Sequence, residues 1–402
     1  MRISSNTFFD NNVAAMGQQQ SRLMQTQLQA STGRKIVTAS DDPVASARAL
    51  EISQADTTNT QYTTNRNAAS HTLTMSEGVL QSVTSLIQDV RTEAVTAGDA
   101  SLTDIARQGI ANGLSSRLQE LVGLANSTDG LGNYLFSGYQ SKTQPFVDTA
   151  AGMGYWGDDG QRQVQVSAGH QISSSGSGAD IFMRIRNGNG TFVTQATVTN
   201  SGSGIASIGN VSNPALLTGH NYQIVFTVAA GVTTYGVNDT TLGVPVSSGN
   251  TYVSGQAISF DGIQLDVKGA PANGDSFTVT PSTNESLFTT ISNLITALKT
   301  PVVSAGGSAQ LSSSLAQVIG NLDNAQEGVL ATRATIGLRL NEIDALQATG
   351  DNLGLQFKQT LSQLQDTDYT KTLSDLTMQQ MQLQAAQKSF AQVSGLSLFS
   401  YL

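Results

Sequence analysis

Two stretches of this sequence, far apart in the chain, place apolar residues every seven positions. One runs Leu73, Leu80, Ile87 and Ala94, with Val83, Val90 and Ala97 three residues after the last three. The other runs Leu315, Leu322, Val329, Ile336 and Ile343, seated with Val318, Ala325 and Leu346. Seven residues fall just short of two α-helical turns, so such a stripe stays dry only if helices wind around each other left-handedly. Between them, over residues 146–284, the pattern changes. "QVQVSAGHQI", "IFMRIRNGNGTFV" and "NYQIVFTVA" read as alternating or β-rich runs. "ISFDGIQLDV" sets Ile258 and Phe260 against Ile263 and Leu265 across an Asp-Gly turn, a strong hairpin signal, and "NGNG" at 187–190 is a second. Glycine-rich tracts such as "SSSGSGAD" and "SGSGIASIG" read as loops. Helix, strand and helix in that order require the two helical ends to lie side by side. The expected class is α+β: an elongated helical rod or coiled coil made from both chain ends, with an inserted all-β domain.

Both ends carry a second, weaker layer of pattern. Near the start, Phe9, Met16, Leu23 and Ala30 are spaced by sevens. Near the end, Gly350 interrupts the long seam, which resumes at Phe357 and Leu364. Its phase then shifts to Tyr369, Leu376, Leu383 and Phe390, supported by Ala386 and Val393. The stretch "STGRKIVTASDDPVASARAL", residues 31–50, marks the matching change at the start. Gly33 ends the first helix and Arg34 follows it. Ser40, Asp41 and Asp42 offer N-cap oxygens and negative charge to the next helix, and Pro43 suits its first turn. These signals divide the chain into 1–32 plus 366–402 as a terminal coiled-coil layer, 33–145 plus 285–365 as a helical rod, and 146–284 as a surface-exposed β-domain.

Residues 369–402 form an amphipathic stretch with few charges. As one helix of about 34 residues it would extend roughly 50 Å. Alone, its stripe would stay wet, and helix formation seldom offsets the entropy of ordering. Both ends are therefore expected to order on assembly, the alternative being a self-contained helix hairpin inside the monomer. Leu396, Leu398, Phe399, Tyr401 and Leu402 crowd the final residues, an apolar density that is a liability unless a neighbour covers it. At the entrance to the β-rich insert, Tyr134, Phe136, Tyr139, Pro145 and Phe146 read as structural anchors rather than as a ligand site.

Composition narrows the function. Charged residues are 12% of the 402, against a usual share of about 25%. A surface wetted by uncharged groups lets many copies pack without strong repulsion. The net charge of −9, with no basic stripe, argues against nucleic acid. There is no cysteine, so no disulfide or thiolate chemistry is expected. The first residues lack the apolar run of a cleavable secretory signal, and no stretch of about 18 apolar residues suggests membrane insertion. His71, His170 and His220 have no metal-like spacing, and no zinc-binding, nucleophile-elbow, phosphate-loop or EF-hand motif is found. "YWGDDGQ" reads as a turn, because Asp158 and Asp159 are adjacent and point apart. No cofactor, metal or catalytic residue is expected, and the chain does not read as an enzyme.

"MRISSNTFFD", the 31–50 joint, "GNYLFSGYQSKTQPF" and "SGLSLFSYL" together resemble the hook-associated protein 3 family of bacterial flagella, hook–filament junction proteins related to flagellin. The resemblance covers roughly 1–145 and 285–402. It implies a flagellin-like fold whose terminal helices pair into an inner layer while the insert faces outward. It also implies an extracellular structural subunit, exported by the flagellar type III apparatus and adapting the hook side to the filament. The implied partners are further copies in a ring, the first hook–filament junction protein, flagellin, and a cytoplasmic export chaperone at the C-terminus. A minor flagellin forming bulk filament, or an adhesin acting through the β-insert, are the competing readings. The insert's single Trp, with no aromatic ladder, argues against the adhesin.

Overall fold

The computed structural model of the chain describes residues 5–150 and 152–395. Its helices are α1 (Ser5–Thr32), α2 (Pro43–Ala97), α3 (Asp104–Ala125), α4 (Leu287–Lys299), α5 (Ala305–Gln365) and α6 (Tyr369–Gly395). They belong to two compact units, Met1–Thr64 with Ala345–Leu402, and Asn65–Asp344.

In the second unit the two seams read from the sequence are the helical core. Leu73, Leu80, Val83, Ile87, Val90 and Ala94 of α2 are buried, as are Leu315, Val318, Leu322, Ala325, Val329, Ile336 and Ile343 of α5. α3 and α4 pack against each other, and both bury full apolar rows, including Leu114 and Leu121 on α3 and Ile291 and Leu294 on α4. α3 starts where Thr103 accepts a hydrogen bond from the Ala106 amide, and α4 where Ser286 accepts from Thr289. Arg333 of α5 pairs with Glu77 of α2 at 2.7 Å, fixing the register of the two seams.

The β-rich stretch falls into two parts. The first holds β1 (Phe146–Thr149), β2 (Gly152–Tyr155), β3 (Gln163–Ser167), β4 (His170–Ser173) and β5 (Ile185–Arg186). These are two hairpins, β1–β2 and β3–β4, and a short strand, clasped to the helices. Asn65 and the buried Arg66 of α2 donate to the Gln165 and Val166 carbonyls, each at 2.8 Å. Phe136, Phe146, Phe182 and Phe288 stack with centroids 5.3–6.1 Å apart, so two of the anchors read from the sequence are core residues. Tyr139 is exposed instead.

The second part is a two-sheet sandwich built from β6 (Phe192–Ala196), β7 (Ile205–Ala206), β8 (Asn210–Val211), β9 (Tyr222–Ala229), β10 (Val232–Asp239), β11 (Val244–Thr251), β12 (Ala257–Phe260), β13 (Ile263–Lys268) and β14 (Ser276–Pro281). One sheet has the order β11-β10-β9-β14-β6 and the other β12-β13-β7, with β8 also on β13. Alternate residues point inward, and Phe192, Tyr222, Ile224, Phe226, Leu265, Val267 and Phe277 share the core between the sheets. β15 (Asn284–Glu285) pairs with β5 and returns the chain to α4. The Asp-Gly hairpin is as expected: Ile258 faces Leu265 and Phe260 faces Ile263, with Asp261 and Gly262 both at positive φ.

Two local expectations fail. "IFMRI" is not strand throughout, because Ala179–Met183 forms a single π-helical turn. That turn drops Phe182 into the aromatic cluster, a tertiary demand stronger than local β preference. "NGNG" makes a tight turn but no hairpin, since β5 pairs with β15 while β6 pairs with β14. Gly188 in that turn donates to Asn321 Oδ1 at 2.8 Å, so the glycines serve a close approach to α5.

Leu322 is fully buried at the centre of the α5 seam. Leu322→Ala should lower unfolding free energy by about 3 kcal/mol through lost burial and the cavity left behind. Urea denaturation of the two proteins checks this, and a loss under about 1 kcal/mol would mean the seam is not the core.

Candidate assembly site

The first helix stops where the sequence supplies a residue able to turn it. Gly33 sits at φ +70°, its amide donates back to the Gln29 carbonyl at 2.9 Å, and α1 ends. A β-carbon there would lie 2.6 Å from the Tyr369 hydroxyl oxygen, at the end of a half-exposed side chain able to move aside, so it is the positive φ that calls for glycine at position 33. The next residues meet the far end of the chain. The Lys35 amide donates to the Gln365 carbonyl at 2.6 Å, and the Thr367 amide donates to the Gly33 carbonyl at 3.0 Å. Arg34 and Asp366 are thereby opposed in an antiparallel bridge. The two breaks in helical pattern read from the sequence are bonded to each other.

The loop that follows divides the expected capping roles. Asp42 alone caps α2, its Oδ1 accepting from the Ala45 amide at 2.9 Å, with Pro43 opening the helix. Asp41 does not cap. Its Oδ2 accepts from the Val37 and Thr38 amides at 3.0 and 2.8 Å, and its Oδ1 from Gln25 of α1 at 2.7 Å. Ser40 does not cap either, and its hydroxyl lies 2.8 Å from that of Thr38. With one N-cap position available, Asp42 takes it, and the neighbouring oxygens close the loop. At the far end Asp368 caps α6, accepting from the Thr370 and Lys371 amides. The sequence reading missed this residue, although "DTDYT" carries the signal.

Beyond the joint α1 and α6 pack together. Phe9, Met16 and Leu23 are half-buried, as are Leu376, Leu383 and Phe390, and Phe9 meets Phe390 edge-on at 5.7 Å. The expected seam residues thus face one another within one chain. The companion row on α1 is Asn12, Gln19 and Thr26, with Thr26 buried, and that polar row is why the stripe is weak in the sequence. Tyr369 and Val393 depart from expectation, being 53% and 42% exposed. Tyr369 belongs to the joint, over Gly33, and the inward row of α6 begins at the buried Thr372. Gly350 does not interrupt α5. It is buried inside the helix, and its carbonyl accepts from Asn59 of α2 at 2.7 Å, so it permits a close helix–helix approach. Leu396, Leu398, Phe399, Tyr401 and Leu402 lie outside the described residues.

Pairing leaves the outer faces apolar. Val13, Met24 and Leu28 of α1 and Leu373, Met378 and Met381 of α6 are each at least half exposed. Sequence reading passed over them because they lie off the seven-residue rows. Their signal is apolar residues on a helix face nearly free of charge: the only charges in α1 are Asp10 and Arg22, and in α6 Lys371, Asp375 and Lys388. Among the described residues no group of three or more His, Asp or Glu is placed to hold a metal, and no helix is long and apolar enough to cross a membrane. Asp158 and Asp159 are structural: Asp158 accepts from the Tyr139 and Gly160 amides, and Asp159 pairs with Arg184 at 2.7 Å, which holds its carboxyl below the ordinary value.

Comparison with known proteins places this geometry. Residues 3–141 match the bacterial flagellin N-terminal helical region, and residues 195–281 match the D2-like domain of flagellar hook-associated protein 1. Flagellar hook-associated protein 3 of Salmonella typhimurium is 29% identical over 402 residues, 99% of each chain. The crystal structure of hook-associated protein 3 from Legionella pneumophila is 31% identical, with a TM-score of 0.74 over 78% of this chain and 98% of that one. The chain belongs to the hook-associated protein 3 family. FlgL of Xanthomonas campestris, also 31% identical, superimposes with a TM-score of 0.73 over 77% of this chain and 99% of its own. The sequence likeness to hook-associated protein 3 runs the full length of the chain, and the structural likeness covers more than three quarters of it.

The Asp41 loop gives a pH test of the joint. Backbone hydrogen bonds, first from Thr38 and then from Val37, hold the Asp41 carboxyl below its usual value. A lowered carboxyl contributes order that is complete above its unfolded value, near about 4, and is lost as pH falls through the folded one. Amide NMR shifts of Val37 and Thr38 should therefore stay constant from neutral pH through the ordinary carboxylate range and move only below it. Titration of those amides at the ordinary aspartate value would show that the loop does not hold the carboxylate.

Proposed function

We propose that this chain is an axial structural subunit of the bacterial flagellum, set at the junction between hook and filament, and not an enzyme. The observation that carries this reading is full-length likeness to hook-associated protein 3, combined with paired terminal helices whose outer faces are apolar and nearly uncharged. A surface of that kind is stable when copies of the chain cover one another.

In this reading 1–32 with 366–402 form the inner layer, 33–145 with 285–365 the helical layer outside it, and 146–284 the outward-facing insert. Val13, Met24, Leu28, Leu373, Met378 and Met381 meet neighbouring copies, together with Tyr369, Val393 and the apolar residues after Gly395. The Gly33–Lys35 and Gln365–Thr367 bridge fixes how the inner helices leave the layer outside them. Copies in a ring contact the first junction protein on the hook side and flagellin on the other, so one subunit presents surfaces suited to two lattices. The subunit leaves the cell through the flagellar type III apparatus, and a cytoplasmic chaperone shields its C-terminal apolar residues until export.

A strain lacking the gene tests this. Electron microscopy should show hooks without filaments, and flagellin should accumulate in the medium as monomer. Filaments of normal number and length would contradict the junction role.

A further inference from the structure

The "SSSGSGAD" tract, read from the sequence as a loop, has buried serines. Ser173, Ser174, Ser175 and Ser177 are each at most 6% exposed. Ser174, Ser175 and Ser177 form one wall of a cavity of about 170 Å³ between α2, α5 and the π-helical turn. Leu73, Phe136, Ile181 and Ile336 make its apolar walls, and Arg339 of α5 enters it.

Most hydroxyls at this cavity already donate to an acceptor, as Ser76, Ser174, Ser177, Thr332 and Thr335 do, but three groups keep donors in reserve. Arg339 makes one hydrogen bond, a long one of 3.3 Å from Nη1 to the Ser173 carbonyl, and no carboxylate among the described residues pairs with it. Burial alone pulls its guanidinium down from the ordinary value, with no opposing charge to restore it. The Ser175 hydroxyl, 2% exposed, accepts from the Arg162 amide at 3.0 Å, and no described acceptor takes its proton. Gln161 accepts from Ser173 through Oε1 at 2.9 Å and keeps its amide hydrogens unassigned. The one carboxylate at the cavity, Asp180, is 61% exposed and held by Arg184 at 2.8 Å. A partly buried guanidinium with no acid beside it, next to the buried Ser175 hydroxyl, is completed by an acceptor that enters the space.

We propose that this cavity binds one small oxyanion, a carboxylate or a phosphate, with Arg339 as its charge partner and Ser175 and Gln161 as neutral donors. Guanidinium matches either group with two parallel N–H bonds. The volume equals about five to six waters at roughly 30 Å³ each, enough for a small anion or the end of an acidic side chain, and too little for a nucleotide.

The test uses the full chain, with inorganic phosphate and acetate titrated against chloride at constant ionic strength. Wild type should bind one anion saturably by calorimetry and unfold at higher temperature in its presence. Arg339→Gln should weaken binding roughly tenfold or more, the scale of a lost charged hydrogen bond. Ser175→Ala should weaken it by a smaller factor. In chloride alone Arg339→Gln should unfold no earlier than wild type, since it removes an uncompensated charge. If assembly leaves phosphate binding intact, the natural occupant is a free anion. If assembly displaces phosphate, it is an acidic side chain of a neighbouring copy, and either result supports the site. No saturable binding of either probe, equal responses of wild type and Arg339→Gln, or early unfolding of Arg339→Gln in chloride would overturn the proposal.

Discussion

Two backbone hydrogen bonds, from Lys35 to Gln365 and from Thr367 to Gly33, hold the beginning and the end of this chain together. The terminal pair depends on them. α1 and α6 are long, poor in charge, and joined by a seam of which one row on α1 is polar, so their packing alone buries little. Neither is connected to the other through a short loop, so closing the pair means bringing together segments separated by more than three hundred residues. Within the same unit α2 and α5 also meet, where Asn59 donates to the Gly350 carbonyl at 2.7 Å, so the helices that flank the joint are held together. The bridge converts that contact into a fixed starting point for α1 and α6.

Gly33 shows how one residue serves several constraints. Its positive φ ends α1, its carbonyl receives Thr367, and its missing side chain leaves room for Tyr369. Asp41 performs a related task in the loop beyond, tying Val37 and Thr38 to Gln25 so that the segment leaving α1 is anchored back on that helix. Asp42 then caps α2 and Asp368 caps α6. Each helix at the joint therefore has its stop or start encoded beside it, and the loop carries few apolar contacts of its own.

Much of this is legible in the amino-acid sequence alone. The seven-residue rows from Leu73 and from Leu315 name the core of the helical part, because burial and periodicity are the same fact there. The Asp-Gly hairpin is legible because positive φ at Asp261 and Gly262 is a local requirement. The resemblance of the chain's ends to hook-associated protein 3 is legible in short motifs, and full-length likeness agrees with it. What escapes is set by distant partners. The π-helical turn at Ala179–Met183 answers to Phe136, Phe146 and Phe288, none of them local. Gly350 looks like a break when read along α5 and becomes a contact once Asn59 is beside it. The serines at 173–177 look like solvent loop because their partners, such as the backbone of Arg162, lie a dozen residues away. The exposed Met378 and Met381 escape because they lie off the seven-residue rows that the sequence reading follows.

The bridge can be tested directly, because the chain has no cysteine of its own. Arg34 and Asp366 face each other between the two hydrogen bonds, the wide-pair position of an antiparallel ladder where α-carbons lie about 4.5 Å apart and a disulfide fits. A chain carrying Arg34→Cys with Asp366→Cys should form that bond within one molecule under mild oxidation, seen as faster non-reducing migration without dimer, and should still support filament growth. Crosslinks only between chains, or no crosslink at all, would contradict the closed joint on which the terminal pair depends.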